Sequence, residues 1–173
     1  MLKILIVEDE PILAVTLKHL IELNPRFEVT EIADDLDSAM EAVNDRRPDL
    51  ALVDLQLAHG SDGFSVAVRL NERGVACLFT TGKAPPFPMP ELALGCLAKP
   101  YTEEDVVRAL KAAEDKLRGR ERLRPSLPEN LHFYAAAGKM EEAVPEKIFM
   151  DLRSFTPQRR SIRARLTRWL AAG

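Results

Sequence analysis

The 173-residue sequence predicts a doubly wound α/β fold, in which helices cover both faces of a five-stranded parallel sheet. Three observations lead to this prediction. Short apolar runs of strand length alternate with amphipathic segments of helical period between residues 2 and 118. The runs are apolar at nearly every position, as in strands that are buried on both faces. Polar residues follow directly after the first, third, fourth and fifth runs, and parallel strands bring such ends together at one edge of the sheet.

The first two strand and helix units have clear boundaries. Residues 2–7 form a nearly continuous apolar run, and Pro11 suits the first turn of the helix that follows. The apolar face of that helix consists of Leu13, Leu17, Leu20 and Ile21. Residues 27–32 predict a second strand. The second helix follows it, with an apolar face made of Leu36, Ala39, Met40 and Val43.

The remaining units follow the same alternation with one exception. The third, fourth and fifth strands are predicted at 50–53, 75–79 and 94–98. A helix from Gly63 to about Gly74 follows the third strand. Residues 84–90 contain four prolines in seven positions, so we expect an irregular connection in place of a regular fourth helix. The capping-box pattern that begins at Thr102 opens the last helix.

Five polar residues stand at the predicted carboxyl ends of the strands: Glu8, Asp9, Asp54, Thr81 and Lys99. Three carboxylates at one place repel one another, and a hard divalent cation such as Mg²⁺ relieves that repulsion by taking oxygen ligands. Asp54 can then act as a carboxylate nucleophile on phosphorus and form an acyl phosphate. Lys99 offers a compact cation to the phosphoryl oxygens, and the Thr81 hydroxyl and the Gly82 backbone amide can donate hydrogen bonds to them.

Each of these residues alone has a plainer interpretation. An aspartate at a strand end usually caps a helix or faces solvent, and a lysine before a proline is most often a surface residue. Either Thr80 or Thr81 can supply the hydroxyl, and we favour Thr81 because a glycine follows it. The joint occurrence of five such residues at corresponding strand ends favours a functional site. The three histidines are scattered, and we interpret them as non-catalytic: His19, His59 and His132.

Four stretches of the sequence match one known pattern: Ile6-Val-Glu-Asp-Glu10, Pro48-Asp-Leu-Ala-Leu-Val-Asp-Leu55, Thr81-Gly82 and Lys99-Pro100. Together they resemble the receiver domain of bacterial two-component response regulators, over about residues 1–118. The run Phe79-Thr-Thr-Gly82 is also similar to the Phe-Ala-Thr-Gly run of an atypical receiver subgroup whose fourth helix is unusual.

The resemblance implies a flavodoxin-like fold with strand order 2-1-3-4-5 and a phosphoacceptor role for Asp54, served by a histidine kinase or a phosphotransfer protein. The Mg²⁺ ligands that it implies are Glu8, Asp9, Asp54 and the backbone carbonyl of Gln56. The phosphoryl-binding residues that it implies are Thr81, Gly82 and Lys99. Lys99-Pro100 would be a cis peptide. Phosphorylation would then bias a two-state surface within residues 81–118.

Departures from the family pattern concern the expected output surface. Ala58 replaces the usual proline four residues after the acceptor, and the loop to Gly63 is one residue longer. Cys96 occupies the switch position, three residues before the lysine, where the family usually has an aromatic side chain. The stretch 84–90 replaces or shortens the fourth helix. We therefore expect an intact phosphorylation site with altered coupling to the output surface.

Composition and charge set further limits. An apolar content of 46% supports one full domain and a smaller appendage. Residues 1–118 carry 13 Lys/Arg against 21 Asp/Glu, a net charge of −8, whereas residues 119–173 carry 11 against 6, a net charge of +5. Cys77 and Cys96 have no metal-site spacing, which favours buried, reduced thiols. No signal peptide or transmembrane segment is predicted, so we expect a cytoplasmic protein.

The region after residue 118 is the hardest to interpret. We divide it into a basic, Pro-containing linker at 119–130 and a helical C-terminal extension at 131–173. Its clearest element is a basic amphipathic helix whose apolar stripe consists of Ile162, Leu166, Trp169 and Leu170. This stripe can pack on the chain's own receiver, on a second copy in a homodimer, or on a separate downstream protein. The arginines around it can also bind DNA or an anionic membrane.

The sequence thus predicts a signalling protein that works through protein contacts and is not an enzyme. One alternative is a transcriptional regulator whose basic C-terminal segment binds DNA, although nucleic-acid binding is the less favoured interpretation. Another is a pseudo-receiver that keeps the acidic residues but signals without phosphate.

Overall fold

The computed structural model describes residues 1–57, 62–83, 85, 87–120 and 127–134. Its strands are β1 (Leu2–Val7), β2 (Phe27–Ala33), β3 (Leu50–Asp54), β4 (Ala76–Thr81), β5 (Gly95–Ala98) and β6 (Leu131–Phe133). The helices within the described residues are α1 (Pro11–Glu22), α2 (Leu36–Asp45), α3 (Gly63–Glu72) and α4 (Glu103–Leu117). The sheet order is β2-β1-β3-β4-β5-β6. The first five strands are parallel, which confirms the predicted fold class and strand order.

Local sequence signals explain where the helices begin. Pro11 occupies the first turn of α1, where its missing N–H has no partner to lose. The Asp35 side chain accepts a hydrogen bond from the Ser38 amide in a capping box at the start of α2. The predicted capping box at Thr102 is confirmed, because Asp105 at the third helical position completes it. Each cap satisfies amide groups that the first helical turn leaves unpaired.

The hydrophobic core lies on both faces of the sheet. On one face, α1 and α4 pack against alternate residues of the strands, such as Ile4, Leu52 and Leu97. On the other face, the rings of Phe64 in α3 and Phe79 in β4 meet edge to face, with their centroids 5.7 Å apart. The central strands are therefore buried on both sides, which explains their continuous apolar sequences.

The connection between β4 and β5 lacks a helix among its described residues, as the proline content predicts. Met89, Leu92 and Ala93 are nevertheless buried. The amide of Asn71 in α3 donates a hydrogen bond of 2.7 Å to the carbonyl of Leu92. Apolar contacts and this side chain thus fasten the irregular connection to the body of the domain.

The structure adds a sixth strand and corrects the predicted start of the helical extension. Residues 131–133, assigned to that extension, form β6 and pair antiparallel with β5. The pattern Leu-His-Phe has the period of two that suits a strand, and only Leu131 of the three is fully buried. Gly95 in β5 allows the approach, because a Cβ atom there would overlap the carbonyl of His132.

Several predictions concern residues outside the described ranges. The apolar stripe of the C-terminal helix lies there: Ile162, Leu166, Trp169 and Leu170. Ala58 and most of the basic linker also lie outside them. Within the described residues, no helix combines the length and the apolar character needed to cross a membrane.

Candidate functional site

The parallel register places four polar strand ends at one edge of the sheet. Val7 pairs with Val53, so Glu8 and Asp54 follow at adjacent positions. Asp54 pairs with Thr80 of β4, and Thr81 pairs with Ala98, the residue before Lys99. The predicted cis peptide between Lys99 and Pro100 is confirmed.

Lys99 bridges the two buried carboxylates of this edge. Its Nζ atom lies 2.6 Å from Oδ2 of Asp54 and 2.6 Å from Oε2 of Glu8. Glu8 is 3% exposed and Asp54 is 5% exposed. Because buried carboxylates lose hydration, each needs a charged or hydrogen-bonding partner, and one ammonium group serves both.

The pKa values reflect this competition between burial and charge. Burial raises the pKa of Glu8, the neighbouring charge of Asp54 adds to the rise, and Lys99 opposes it. Burial alone would lower the pKa of Lys99, but the hydrogen bonds to Asp54 and Glu8 outweigh it, so that pKa is raised. Lys99 therefore stays protonated at neutral pH.

The backbone around Asp54 fixes its carboxylate. Oδ1 of Asp54 accepts a hydrogen bond of 2.9 Å from the amide of Gln56. The start of α3 packs against the same strand end, and a Cβ atom at Gly63 would overlap the carbonyl of Asp54. Gly63 was assigned only as a helix start in the sequence analysis. Its close contact with Asp54 depends on the tertiary packing of α3 on β3.

Thr81 lies at the same edge but is fully buried beneath it. Its hydroxyl donates to the carbonyl of Lys83 and accepts from the amide of Lys83, both at 3.2 Å. Its carbonyl accepts a hydrogen bond of 2.8 Å from the amide of Lys99. Thr81 thus shapes the turn after β4 and ties it to β5, while the neighbouring Gly82 is exposed.

One open pocket joins most of the predicted site residues. Its lining consists of Glu8, Asp9, Glu10, Pro11, Leu13, Asp54, Gln56, Gly82 and Lys99. Cys96 is buried in β5, and burial, followed by the charge of Asp54, raises its pKa to about 11. The predicted switch position therefore holds a protonated thiol inside the core.

The donor atoms of the pocket suit a hard cation. No group of three His, Cys, Asp or Glu side chains is arranged to hold a metal among the residues that the structure describes. Mg²⁺ usually takes only one or two protein carboxylates and keeps several waters. Glu8, Asp9 and Asp54 offer carboxylate oxygens in one pocket, so the donor chemistry fits Mg²⁺ without a preformed cage.

Two further residues near the site were missed by the sequence analysis. Burial raises the pKa of Tyr101, the charge of Lys99 opposes the rise, and the charges of Glu8 and Asp54 add to it. Asn130 hydrogen-bonds to the carbonyls of Ala98 and Pro100, on either side of Lys99. Its sequence position, about thirty residues from Lys99, gives no signal of this contact.

Comparisons with known proteins match the chain to one family. The family model of the response regulator receiver domain matches residues 4–111. The sensory transduction protein LytT of Bacillus subtilis (strain 168) is 35% identical over 120 residues, which cover 64% of this chain and 47% of that protein. The positive alginate biosynthesis regulatory protein of Pseudomonas aeruginosa is 34% identical over 118 residues, which cover 65% of this chain and 47% of that protein.

A similar fold occurs among solved structures. The signal receiver domain of a modulated diguanylate cyclase from Desulfovibrio desulfuricans G20 has a TM-score of 0.60 and 29% identity, over 70% of this chain and 99% of that chain. The chain spans about half the length of the curated relatives it matches. The family match covers more than half of the 173 residues. The chain therefore belongs to the response regulator receiver domain family of two-component sensory transduction.

Proposed function

We propose that Asp54 accepts a phosphoryl group from a phosphohistidine of a histidine kinase or phosphotransfer protein. In this step a carboxylate oxygen of Asp54 forms a bond to phosphorus while the P–N bond to the histidine breaks. The electron pair of that bond stays on the ring nitrogen, so a ring that is protonated on its other nitrogen leaves as neutral imidazole. The observation that carries the proposal is the pair of hydrogen bonds to Asp54. Lys99 holds one carboxylate oxygen and the Gln56 amide holds the other, and all three residues line one open pocket.

The residues around Asp54 have distinct roles in this proposal. Lys99 neutralises the acidic cluster before the reaction and binds a phosphoryl oxygen after it. The Gly82 amide and the Thr81 hydroxyl donate to the other phosphoryl oxygens, and the latter must first exchange its bonds to Lys83. Bound Mg²⁺ would be held by Glu8, Asp9, Asp54 and the Gln56 carbonyl. When bound, it supplies positive charge to the phosphoryl oxygens.

The approach of a phosphodonor protein is favoured by an apolar surface beside the pocket. Ile12 and Val15 of α1 are 75% and 62% exposed. Both residues belong to α1, and Pro11 and Leu13 of the same helix line the pocket. A helical phosphodonor domain can cover these side chains while it presents its phosphohistidine to Asp54.

The output of the proposed switch is a change in protein contacts. Phosphorylation draws Lys99 toward the phosphoryl group and away from Glu8, which alters the end of β5. The expected responding surface lies within residues 81–118, and its partner is a downstream protein, a second copy, or the chain's own C-terminal segment. We propose that the chain itself has no enzymatic output and acts in the cytoplasm.

Incubation with acetyl phosphate and Mg²⁺ tests the proposed reaction. We expect the intact mass to rise by one phosphoryl group, and the adduct to be lost in hydroxylamine, which cleaves acyl phosphates but not phosphate esters. Asp54→Asn should remove the adduct, whereas Asp49→Asn, at an acidic position before the same strand, should retain it. A hydroxylamine-stable adduct, or one that persists in Asp54→Asn, would contradict the proposal. Chelation of Mg²⁺ should also abolish the adduct.

A further inference from the structure

The side chain of Asn130 spans the residue that bridges the acidic cluster. Its Nδ2 atom donates hydrogen bonds to the carbonyl of Ala98 at 3.1 Å and to the carbonyl of Pro100 at 3.2 Å. Its own backbone carbonyl accepts a hydrogen bond of 2.8 Å from the amide of Ala98. Asn130 therefore holds the chain immediately before and immediately after Lys99.

Asn130 is itself held in place by the β6 segment, defined here as residues 127–134. The carbonyl of Pro128 accepts from the amide of Leu131 at 3.1 Å, and the Leu131 side chain is buried. The amide of Tyr134 donates to the carbonyl of Leu94 at 2.8 Å. The β6 segment is thus anchored at both ends of β5, so Asn130 has a defined position.

A third contact secures the β6 segment to α4. Nζ of Lys116 lies 3.3 Å from the carbonyl of Tyr134 and 4.9 Å from the centre of the Phe133 ring. This attachment does not involve the acidic pocket. Loss of Asn130's side chain alone should therefore leave the segment bound.

The backbone of Lys99 is also tied to β4. Its amide donates to the carbonyl of Thr81, and β5 ends at the residue before it. The carbonyl of Ala98 belongs to the peptide group that joins Ala98 to Lys99, and the carbonyl of Pro100 belongs to the peptide group that follows Pro100. Both carbonyls accept from the same amide group of Asn130. Without the Asn130 amide group, neither carbonyl keeps its hydrogen bond to the β6 segment. The direction of the Lys99 side chain is then less defined.

We propose, on the basis of the function proposed above, that Asn130 is a positioning residue for Lys99, so that the β6 segment and the phosphoryl site influence each other through residues 98–100. The coupling works in both directions, because an equilibrium that links two sites is reciprocal. When Lys99 moves toward a phosphoryl group, the carbonyls bound to Asn130 move with it. The β6 segment leads directly into the C-terminal region, which gives the site a physical connection to that region.

A direct test compares Asn130→Leu with His132→Ala. Leucine keeps the branched shape of asparagine but has no donor, and His132 is an exposed residue of the same β6 segment. Amide hydrogen exchange of Lys99, whose N–H bonds Thr81 and not Asn130, reports the position of the lysine without any phosphate. We expect faster exchange at Lys99 in Asn130→Leu, with exchange at Leu131 and Tyr134 close to that of the unchanged protein. His132→Ala should leave Lys99 unchanged.

The same variants are then treated with acetyl phosphate and Mg²⁺. Asn130→Leu should slow phosphorylation by about 3- to 30-fold, as interaction energies between contacting residues imply. In a Lys99→Ala background, Asn130→Leu should change the remaining rate by less than about twofold, because its effect passes through Lys99. The equilibrium affinity for beryllofluoride, a stable phosphoryl mimic, provides the same comparison if the Lys99→Ala rate is too slow to measure.

The outcomes separate the two proposals. If Asn130→Leu slows phosphorylation by the same factor whether residue 99 is lysine or alanine, the positioning role is overturned. Unchanged exchange of the Lys99 amide in Asn130→Leu would overturn it as well. If the unchanged protein is never phosphorylated, the proposed function fails. The exchange measurement still decides the positioning of Lys99 in that case. Release of Leu131 and Tyr134 in Asn130→Leu would assign the effect to loss of the whole segment and would also overturn the inference.

Discussion

The Nζ atom of Lys99 lies 2.6 Å from Oδ2 of Asp54, across 45 residues of sequence. The same atom binds Glu8 at an equal distance. One cation thus balances two carboxylates that are almost completely shielded from water. The proposed phosphorylation of Asp54 must therefore rearrange the ion pairs that stabilise the unphosphorylated site.

Lys99→Ala should destabilise the domain at neutral pH by about 3–5 kcal/mol, because it leaves two buried carboxylates without their cation. Urea unfolding followed by circular dichroism measures this change. The double variant Lys99→Ala/Asp54→Asn is the matched control. It should recover part of the loss, since only one carboxylate then remains charged.

The pH dependence of Lys99→Ala has a defined sign. Burial already raises the pKa of Glu8, and removal of the lysine raises it further. A carboxyl group with a raised pKa favours the folded state at low pH, and this contribution is lost as the pH rises through the folded pKa. The difference in the free energy of unfolding between Lys99→Ala and the unchanged protein should therefore shrink as the pH falls from neutral toward the ordinary pKa range of a glutamate. A deficit that stays constant or grows on acidification would contradict this account.

Gly95→Ala should displace the β6 segment from the sheet. A Cβ atom at Gly95 would overlap the carbonyl of His132, and neither strand can move without losing its pairing. We expect a loss of about 2–4 kcal/mol and rapid exchange of the Tyr134 amide, which donates to the carbonyl of Leu94. Gly82→Ala is the control, because its Cβ atom would meet only the end of the Gln56 side chain, at 3.9 Å. Protection of the Tyr134 amide in Gly95→Ala would show that the strand tolerates the extra carbon.

Tyr134→Phe should be neutral or stabilising. The Tyr134 hydroxyl is buried and has no hydrogen-bond partner among the described residues. Removing it ends an uncompensated desolvation penalty, whereas Tyr134→Ala should cost about 3–5 kcal/mol through lost packing. Thermal unfolding of the two variants checks both values. A clear loss of stability in Tyr134→Phe would indicate that the hydroxyl has a partner.

The buried thiols predict a loss of stability at alkaline pH. Burial raises the pKa of Cys77 to about 12 from its ordinary value of 9.0, and the pKa of Cys96 is raised to about 11. Their contribution is fully present below pH 9 and is lost as the pH rises toward these values, at about 1.4 kcal/mol per thiol and pH unit. Between about pH 9 and pH 11, the variant Cys77→Ala/Cys96→Ala should lose less stability than the unchanged protein. Equal pH profiles for the two proteins would show that the thiols ionise in the folded state.

Much of the fold follows from local patterns in the sequence. The buried runs at Leu2–Val7 and Leu50–Asp54 have the continuous apolar character of central parallel strands. The proline-rich stretch predicts the loss of a helix between β4 and β5, because proline removes amide donors and clashes with the preceding turn. The carboxyl ends of the strands then predict where polar residues gather.

Other features depend on contacts between distant residues. The strand β6 has only three residues, Leu131–Phe133, and it needs the open space above Gly95 to form. Nothing in the local pattern of either segment specifies the other. Likewise, residue spacing predicts that Lys99 lies near the acidic residues, but its simultaneous contact with Glu8 and Asp54 follows from strand register.

The most direct test of the central claim is the chemical identity of the phosphorylated residue. Borohydride reduces an aspartyl phosphate to homoserine, which peptide mass spectrometry can locate in the sequence. After treatment with acetyl phosphate, Mg²⁺ and borohydride, we predict homoserine at position 54, and no reduction when the phosphodonor is omitted. Reduction at Glu8 or Asp9 instead of Asp54, or none under conditions that phosphorylate the protein, would contradict the assignment of Asp54 as the acceptor.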